Sequence, residues 1–292
     1  MKGSFLVRLA AIAAICLNSV AGFAQDFRDE IFTYMQYYDD ADGSRTVLLF
    51  GMCGCPSDGV LRVPANITAG GENYRVVGMD ARFYFREEYK GKCEKMILPE
   101  TFRELGPNVD GSRNPYVLQQ FADKGLKSIE IGAANPWFKM QDGFMLSSDG
   151  KNMYYLTDEV AANPVMTVPE GVEQIYFDQL SYYEKYGDNL EYITLPSTLK
   201  ASCPIYYGYR TIIMKSATAP EPLNRAGNYN NRVSEIFVPK GSLESYRYSS
   251  VWGYSSSCGR LHETDMNEDK TVTLDLKFYD SPQPQVYVNG KH

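Results

Sequence analysis

The sequence is poor in the side chains that most often carry out catalysis. Histidine occurs twice among 292 residues, as His262 and as the C-terminal His292, and neither lies in a nucleophile motif. The chain also lacks a Gly-x-Ser-x-Gly elbow, a His-Glu-x-x-His helix, a phosphate-binding loop and a dinucleotide fingerprint. A paired-carboxylate hydrolase needs only two acids at the right separation, which sequence does not exclude. We therefore expect a protein that is not an enzyme, with a hydrolase as the least favoured alternative.

The sequence also has no excess of positive charge. Asp and Glu outnumber Lys and Arg by 36 to 29, which gives a net charge of -7. No cluster of basic residues stands out that could neutralise a row of phosphates. This argues against nucleic acids and anionic membranes as partners.

Long apolar runs are confined to the N-terminus. Lys2 and Arg8 flank the start of an apolar run over residues 9–17, and Gly22 and Ala24 supply small residues where a signal peptidase reads. The run is too short to span a bilayer. It predicts a secretory signal over residues 1–24. Because no second long apolar run follows, we expect a mature chain without a transmembrane span, secreted or held at the cell surface.

Cysteine is sparse and odd in number once the signal is removed. The mature chain keeps Cys53, Cys55, Cys93, Cys203 and Cys258. Cys53 and Cys55 are too close to pair with each other, so either would need a distant partner, and the pairing stays open. Cys93 takes an apolar position in a repeat and is most simply a small buried residue. The spacing fits no zinc knuckle, so we expect neither a metal nor a cofactor.

What the sequence does contain is a repeated short strand. The template Leu-x-x-Ile-x-Leu-Pro alternates apolar and polar positions and often ends at proline, which predicts a strand with one buried face. Its central apolar position recurs at irregular steps, at Leu61, Met96, Ile129, Met166, Ile193, Ile212 and Ile236. A single strand of this kind cannot bury its own face. Stacked neighbours must supply the core, and this predicts a solenoid.

The segments before and between these repeats have strand and turn signals of their own. Residues 31–38 and 46–50 predict an N-terminal β-hairpin around a polar turn, which would cap the first repeat. Two further strands, near residues 61–64 and 74–77, are predicted to be joined by a turn at Gly70 and Gly71. Residues 81–89 predict a short helix or loop.

Several motifs then occur in an order that resembles a known family. Asn135 and Pro136 precede a predicted hairpin that turns at Asp149 and Gly150. Residues 168–175, a proline-bearing segment at 216–223, and residues 238–252 follow. This order resembles the BspA-like leucine-rich repeats of bacterial surface proteins over about residues 30–262. The resemblance implies a non-catalytic repeat scaffold for adhesion or host-protein contact.

Tyrosine is the main excess in the composition, with 23 residues. Because successive coils could stack such rings along one edge, tyrosines after the repeat strands predict an interaction surface. The alternative is that these rings pack the convex side of the solenoid, in place of the short helices that the repeats lack. The candidate binding residues are Tyr182, Tyr183, Tyr186, Tyr206, Tyr207 and Tyr209.

A weak calcium motif lies near the C-terminus. Asp265, Asn267 and Asp269 place oxygen ligands at alternate positions, as a calcium loop begins. Lys270 stands where the loop needs glycine, and Leu276 where it needs an acid. A polar turn before a strand is the better interpretation.

The sequence thus predicts a mostly β fold with short helices and loops (α+β), a leucine-rich-repeat solenoid with an N-terminal β-hairpin cap. The expected division is a signal peptide at 1–24, a cap at 25–59, the solenoid at 60–262 and a C-terminal β segment at 263–292. The expected function is binding of an extracellular or cell-surface protein. The alternative is a glycan-binding surface module.

Overall fold

The computed structural model describes residues 27–107, 114–177, 186–203, 209–223, 235–249, 252 and 260–265. The predicted signal at 1–24 and all of the predicted C-terminal segment beyond residue 265 lie outside these ranges. In the part of the chain that the structure describes, short β-strands dominate and helices are few. No helix in these ranges is long and apolar enough to cross a membrane.

The strands have between two and 13 residues. In chain order they are β1 (Phe32–Gln36), β2 (Thr46–Met52), β3 (Val60–Arg62), β4 (Asn66–Ala69), β5 (Glu72–Tyr84), β6 (Lys95–Leu98), β7 (Glu104–Leu105), β8 (Ser128–Ile131), β9 (Phe138–Gln141), β10 (Phe144–Ser147), β11 (Asn152–Leu156), β12 (Val165–Thr167), β13 (Gln174–Ile175), β14 (Tyr192–Leu195), β15 (Ala201–Ser202), β16 (Thr211–Met214), β17 (Glu221–Pro222), β18 (Glu235–Pro239) and β19 (Leu261–Thr264). The described helices are η1 (Glu87–Tyr89), η2 (Pro115–Leu118), α1 (Gln119–Asp123), α2 (Asp158–Ala161), η3 (Gly187–Asn189) and α3 (Leu243–Arg247).

The N-terminal hairpin forms as the sequence predicts. β1 and β2 pair antiparallel, and the N–H of Asp40 donates to the carbonyl of Ser44 to close the turn between them. β2 also pairs parallel with β5, so the hairpin joins the rest of the chain through a shared sheet. One prediction is corrected here: the turn at Gly70 and Gly71 joins β4 to β5, not the strand near residue 61 to β5. β4 has little apolar signal in the sequence, because Asn66 and Thr68 are polar and exposed and its one buried residue is the small Ala69.

The helix or loop predicted over residues 81–89 forms only in its second half. β5 continues to Tyr84, residues 85–86 are loop, and Glu87–Tyr89 forms a 3-10 turn. Gly78 lets this long strand approach β7 closely, since a Cβ at that position would lie 2.2 Å from the carbonyl oxygen of Glu104. Buried Met79 and Phe83 then anchor the strand beyond the glycine.

The seven predicted repeat strands all form, and they pair parallel. β3, β6 and β8 make one ladder in which Leu61, Met96 and Ile129 are register partners. β12, β14, β16 and β18 make a second ladder, which β19 extends beyond the predicted boundary at residue 262. The central residues of all seven strands are buried: Leu61, Met96, Ile129, Met166, Ile193, Ile212 and Ile236. The template therefore identified both the strands and their inward face.

The repeat strands start with a common backbone contact. A carbonyl just before one strand accepts hydrogen bonds from two consecutive N–H groups at the start of the next. Gly59 does so for Glu94 and Lys95, and Pro164 does so for Glu191 and Tyr192. These bonds agree with the register that buries the central residues, and a slip of one residue would turn the buried face outward.

A further sheet lies between the repeat strands in chain order. β9, β10 and β11 pair antiparallel, with the predicted turn at Asp149 and Gly150 between the last two. β11, β13, β15 and β17 then pair parallel. From β11 to β18, successive strands belong alternately to this sheet and to the ladder that contains β12. Sequence did not predict β13, β15 or β17, because two-residue strands show no periodicity.

Candidate interaction surface

The structure describes only two of the six tyrosines predicted to line a binding edge. Tyr182, Tyr183, Tyr206 and Tyr207 lie outside the described residues. Tyr186 is half-buried, and its hydroxyl donates to Asp158 Oδ2 over 2.7 Å. Tyr209 lies in the core with 1% of its surface exposed. Its ring is buried beneath the surface, so for Tyr209 the structure favours packing over ligand contact.

The calcium candidate is described only at its first residue. Asp265 is exposed and lies 3.8 Å from the Lys240 ammonium, while Asn267 and Asp269 lie outside the described ranges. Within those ranges, no three Asp, Glu, His or Cys side chains group closely enough to hold a metal ion.

Trp137, directly before β9, is exposed to solvent. It is 41% exposed, although tryptophan buries most of its surface in a typical fold. Tyr38, in the turn between β1 and β2, is 65% exposed. Trp137 is held by Asn135, whose Oδ1 accepts hydrogen bonds from the N–H groups of Trp137 and Phe138 at 2.9 Å. The Asn135 amide in turn donates to the carbonyls of Pro99 and Phe102. The indole is therefore presented on a fixed backbone.

A charged cluster connects this tryptophan to the N-terminal hairpin. The Arg103 guanidinium lies over the Trp137 ring, 5.8 Å from its centroid. Arg103 Nη1 donates to Asp40 Oδ2 over 3.1 Å, and Arg75 Nη1 donates to the same oxygen over 2.8 Å. Arg75 Nη2 reaches Ser44 Oγ over 3.1 Å. Each side chain of the cluster thus has a partner, which orders long arginines that would otherwise be mobile.

The positive charges of Arg103 and Arg75 favour the ionised form of the Asp40 side chain. The hydrogen bond from Arg103 is the main cause that lowers the pKa of Asp40, and the charges of Arg103 and Arg75 add to it. The same contact raises the pKa of Arg103. Only 14% of the Asp40 side chain is exposed, so solvent screens these contacts less than at an open surface.

A polar groove adjoins the cluster at Arg75. It has a volume of about 350 Å³ and runs between the turn of β1–β2 and the turn of β4–β5. Its lining is Gly43, Ser44, Arg45, Asn66, Gly71, Glu72, Asn73 and Arg75. The single carboxylate in this lining, Glu72, lies 3.3 Å from Arg45.

We define the arginine–tryptophan surface as Asp40, Arg75, Arg103 and Trp137, which are joined by the contacts given above. Sequence reasoning missed it, because Asp40 and Arg103 lie 63 residues apart and no local pattern brings them together. The one available signal was the motif at Asn135, which predicted a hairpin and so placed Trp137 at its start.

In comparisons with known proteins, no protein-family model and no curated protein match the chain. The solved structures that it is similar to include a leucine-rich cell surface protein from Faecalibacterium prausnitzii, at 17% identity and a TM-score of 0.38 over 73% of this chain and 54% of that one.

Two further structures are leucine-rich-repeat proteins. The one from Eubacterium ventriosum has 12% identity and a TM-score of 0.36, and covers 70% of this chain and 54% of its own. The one from Bacteroides ovatus has 20% identity and a TM-score of 0.34, and covers 65% and 49%. The chain spans about half the length of these structures.

Proposed function

We propose that this chain is a secreted or surface-exposed, non-catalytic leucine-rich-repeat solenoid that binds an extracellular protein. Residues 25–59 would form its cap, and the repeat array would begin at residue 60. The parallel, in-register strands with seven buried central residues support the solenoid. The localisation rests on the predicted signal at residues 1–24.

The single observation that carries the binding proposal is the arginine–tryptophan surface. Trp, Tyr and Arg are the side chains that most often dominate the energy of protein interfaces. Here Trp137 is exposed, while hydrogen bonds fix Arg103 and the backbone of Trp137. A surface that is ordered before binding loses less entropy when a partner docks.

The polar groove favours glycan binding as the second candidate. Asn66 and Asn73 supply amide groups, and Arg75 supplies a guanidinium, all of which can donate to sugar hydroxyls. Its single carboxylate gives no pair for acid–base hydrolysis.

Arrays of extracellular proteins and of glycans would test both candidates. The wild type should bind one or more proteins, Trp137→Ala should lose that signal, and Tyr248→Ala should keep it. Tyr248 is a matched control because it is 81% exposed and lies in α3's C-terminal turn, outside this surface. Glycan spots that disappear with Asn73→Ala and persist with Trp137→Ala would favour the second candidate. Protein signals that survive Trp137→Ala would contradict the first.

A further inference from the structure

Two cysteines that are distant in sequence meet where the N-terminal hairpin joins the repeats. Cys55 Sγ lies 2.7 Å from Cys93 Sγ, although 38 residues separate them. A covalent disulfide is about 2.05 Å long, so a shift of about 0.7 Å would allow the bond. Cys93 is buried, and Cys55 is half-buried and packs against the same core.

The backbone holds both cysteines in place. Gly59 lies four residues after Cys55, and its carbonyl accepts hydrogen bonds from Glu94 and Lys95. On the other side, the Tyr89 hydroxyl donates to the Cys53 carbonyl over 2.8 Å. The chain segments that carry the two sulfurs are therefore fixed relative to each other at two points, independently of the thiols.

The thiol of the neighbouring Cys53 has a different partner. It donates to the carbonyl of Asp29 over 3.3 Å, towards the N-terminal segment. Cys203, by contrast, is buried beside β15 and its N–H donates to the carbonyl of Ile175. The geometry thus distinguishes Cys55 from Cys53 as the partner of Cys93, a choice that the sequence left open.

We propose that Cys55 and Cys93 are an oxidation site, at which a disulfide links the N-terminal cap to the second repeat strand, β6. The bond would close a loop that contains β3, β4, β5 and η1. Such a loop reduces the conformational entropy of the unfolded chain more than that of the folded chain. In the cell, this inference rests on the proposed extracytoplasmic location, where disulfide donors are available. In the purified protein it does not depend on that location.

The oxidation balances with a small-molecule disulfide as the oxidant. The Cys55 thiolate attacks the donor disulfide, which forms a mixed disulfide and releases one donor thiol. Cys93 then loses its proton and attacks Cys55 Sγ, which releases the second donor thiol. The two protein thiols lose two electrons and two protons, and the donor disulfide gains them as two thiols.

The order of attack follows from exposure. Burial, and then the hydrogen bond with Cys55, raise the pKa of Cys93 to about 12, so its thiol stays protonated at neutral pH. A donor reaches the half-buried Cys55 first, because Cys93 has no exposed surface.

Mass spectrometry of the purified protein tests the pairing directly. The protein is treated with oxidised glutathione, denatured in iodoacetamide, digested and measured without reduction. We expect a linked pair of peptides that contains Cys55 and Cys93, present in Cys53→Ser and absent in Cys55→Ser. A link from Cys53 to Cys93, or alkylation of both Cys55 and Cys93, would overturn the proposal.

Thermal unfolding tests whether the bond also stabilises the fold. Oxidised wild type and oxidised Cys53→Ser should melt about 5–10 °C above their reduced forms. Cys55→Ser should melt at one temperature in both states. Equal melting temperatures for oxidised and reduced wild type would refute the link between cap and repeat. Neither experiment uses a binding partner, so failure here is separate from failure of the proposed binding function.

Discussion

At the scale of single residues, Asp40 joins the two arginines of the arginine–tryptophan surface. It accepts hydrogen bonds from two arginines on different elements, Arg75 from β5 and Arg103 from the segment after β6. Both arginines lose their shared anion if this carboxylate is removed. The position of Arg103 over Trp137 thus depends on a residue in the turn of the N-terminal hairpin.

Asp40→Asn should therefore lower the free energy of unfolding by about 1–3 kcal/mol at pH 7, the range for hydrogen bonds to charged groups. The pKa of Asp40 is lower in the folded chain than in the unfolded chain. Its contribution is then fully present above the unfolded pKa and disappears as the pH falls through the folded pKa. The difference between wild type and variant should shrink when urea unfolding is repeated near pH 3.

Asp42→Asn provides the matched control for this pair of measurements. Asp42 lies in the same turn but has a largely exposed side chain, so its replacement should change stability little. An Asp40→Asn effect of equal size at pH 7 and pH 3 would show that packing, not charge, causes it.

Tyr246 in α3 and Tyr248 directly after it offer a second residue-level comparison. The Tyr246 hydroxyl is buried and donates to the carbonyl of Ser216 over 2.7 Å, whereas Tyr248 is exposed. Tyr246→Phe should cost about 1–2 kcal/mol, because a buried carbonyl loses its donor. Tyr248→Phe should cost nothing measurable. Equal values from chemical denaturation of the two variants would contradict the described position of Tyr246.

At the scale of elements, the alternation of buried and half-buried side chains along the repeat strands can be tested most directly. In β14, Ile193 is buried and its neighbour Thr194 is half-buried. Ile193→Ala should lower the free energy of unfolding by about 2–5 kcal/mol, since it leaves a cavity between β12 and β16. Thr194→Ala should cost under about 1 kcal/mol. Urea denaturation of both variants measures the contrast, and a larger loss at Thr194 would reverse the assigned faces.

The repeat strands could be predicted because their signal is local. Each central residue sits in a short alternating segment, so Ile193 and Leu195 identify a strand without knowledge of its neighbours. The same holds for the turn at Asp149 and Gly150. The two-residue strands β13 and β15 could not be predicted, because two positions define no period and only pairing with neighbours makes them strands.

The interaction surface could not be predicted for the opposite reason, since its contacts are long-range. Asp40 and Arg103 have no sequence pattern in common and are brought together only by the folded structure, in which β2 pairs with β5. The tyrosine edge was predicted from composition, and Tyr209 shows the limit of that reasoning. Tyrosine has an intermediate tendency to be buried, so a tyrosine after a strand can lie on either side of it.

At the scale of the whole molecule, the arginine–tryptophan surface joins segments that are far apart in the chain. The surface draws on the N-terminal hairpin, on β5 and on the segments that precede β7 and β9. A partner that docks there would contact several parts of the chain at once.

Amide hydrogen exchange, with and without a protein ligand identified on the arrays, tests the proposed binding surface most directly. Bound ligand should slow exchange in peptides that cover Asp40, Arg103 and Trp137, because Arg103 contacts both Asp40 and the Trp137 ring. Peptides that cover α3 should exchange at the same rate in both samples. Protection at α3, with unchanged exchange around Trp137, would contradict the proposal that this chain binds its partner through the arginine–tryptophan surface.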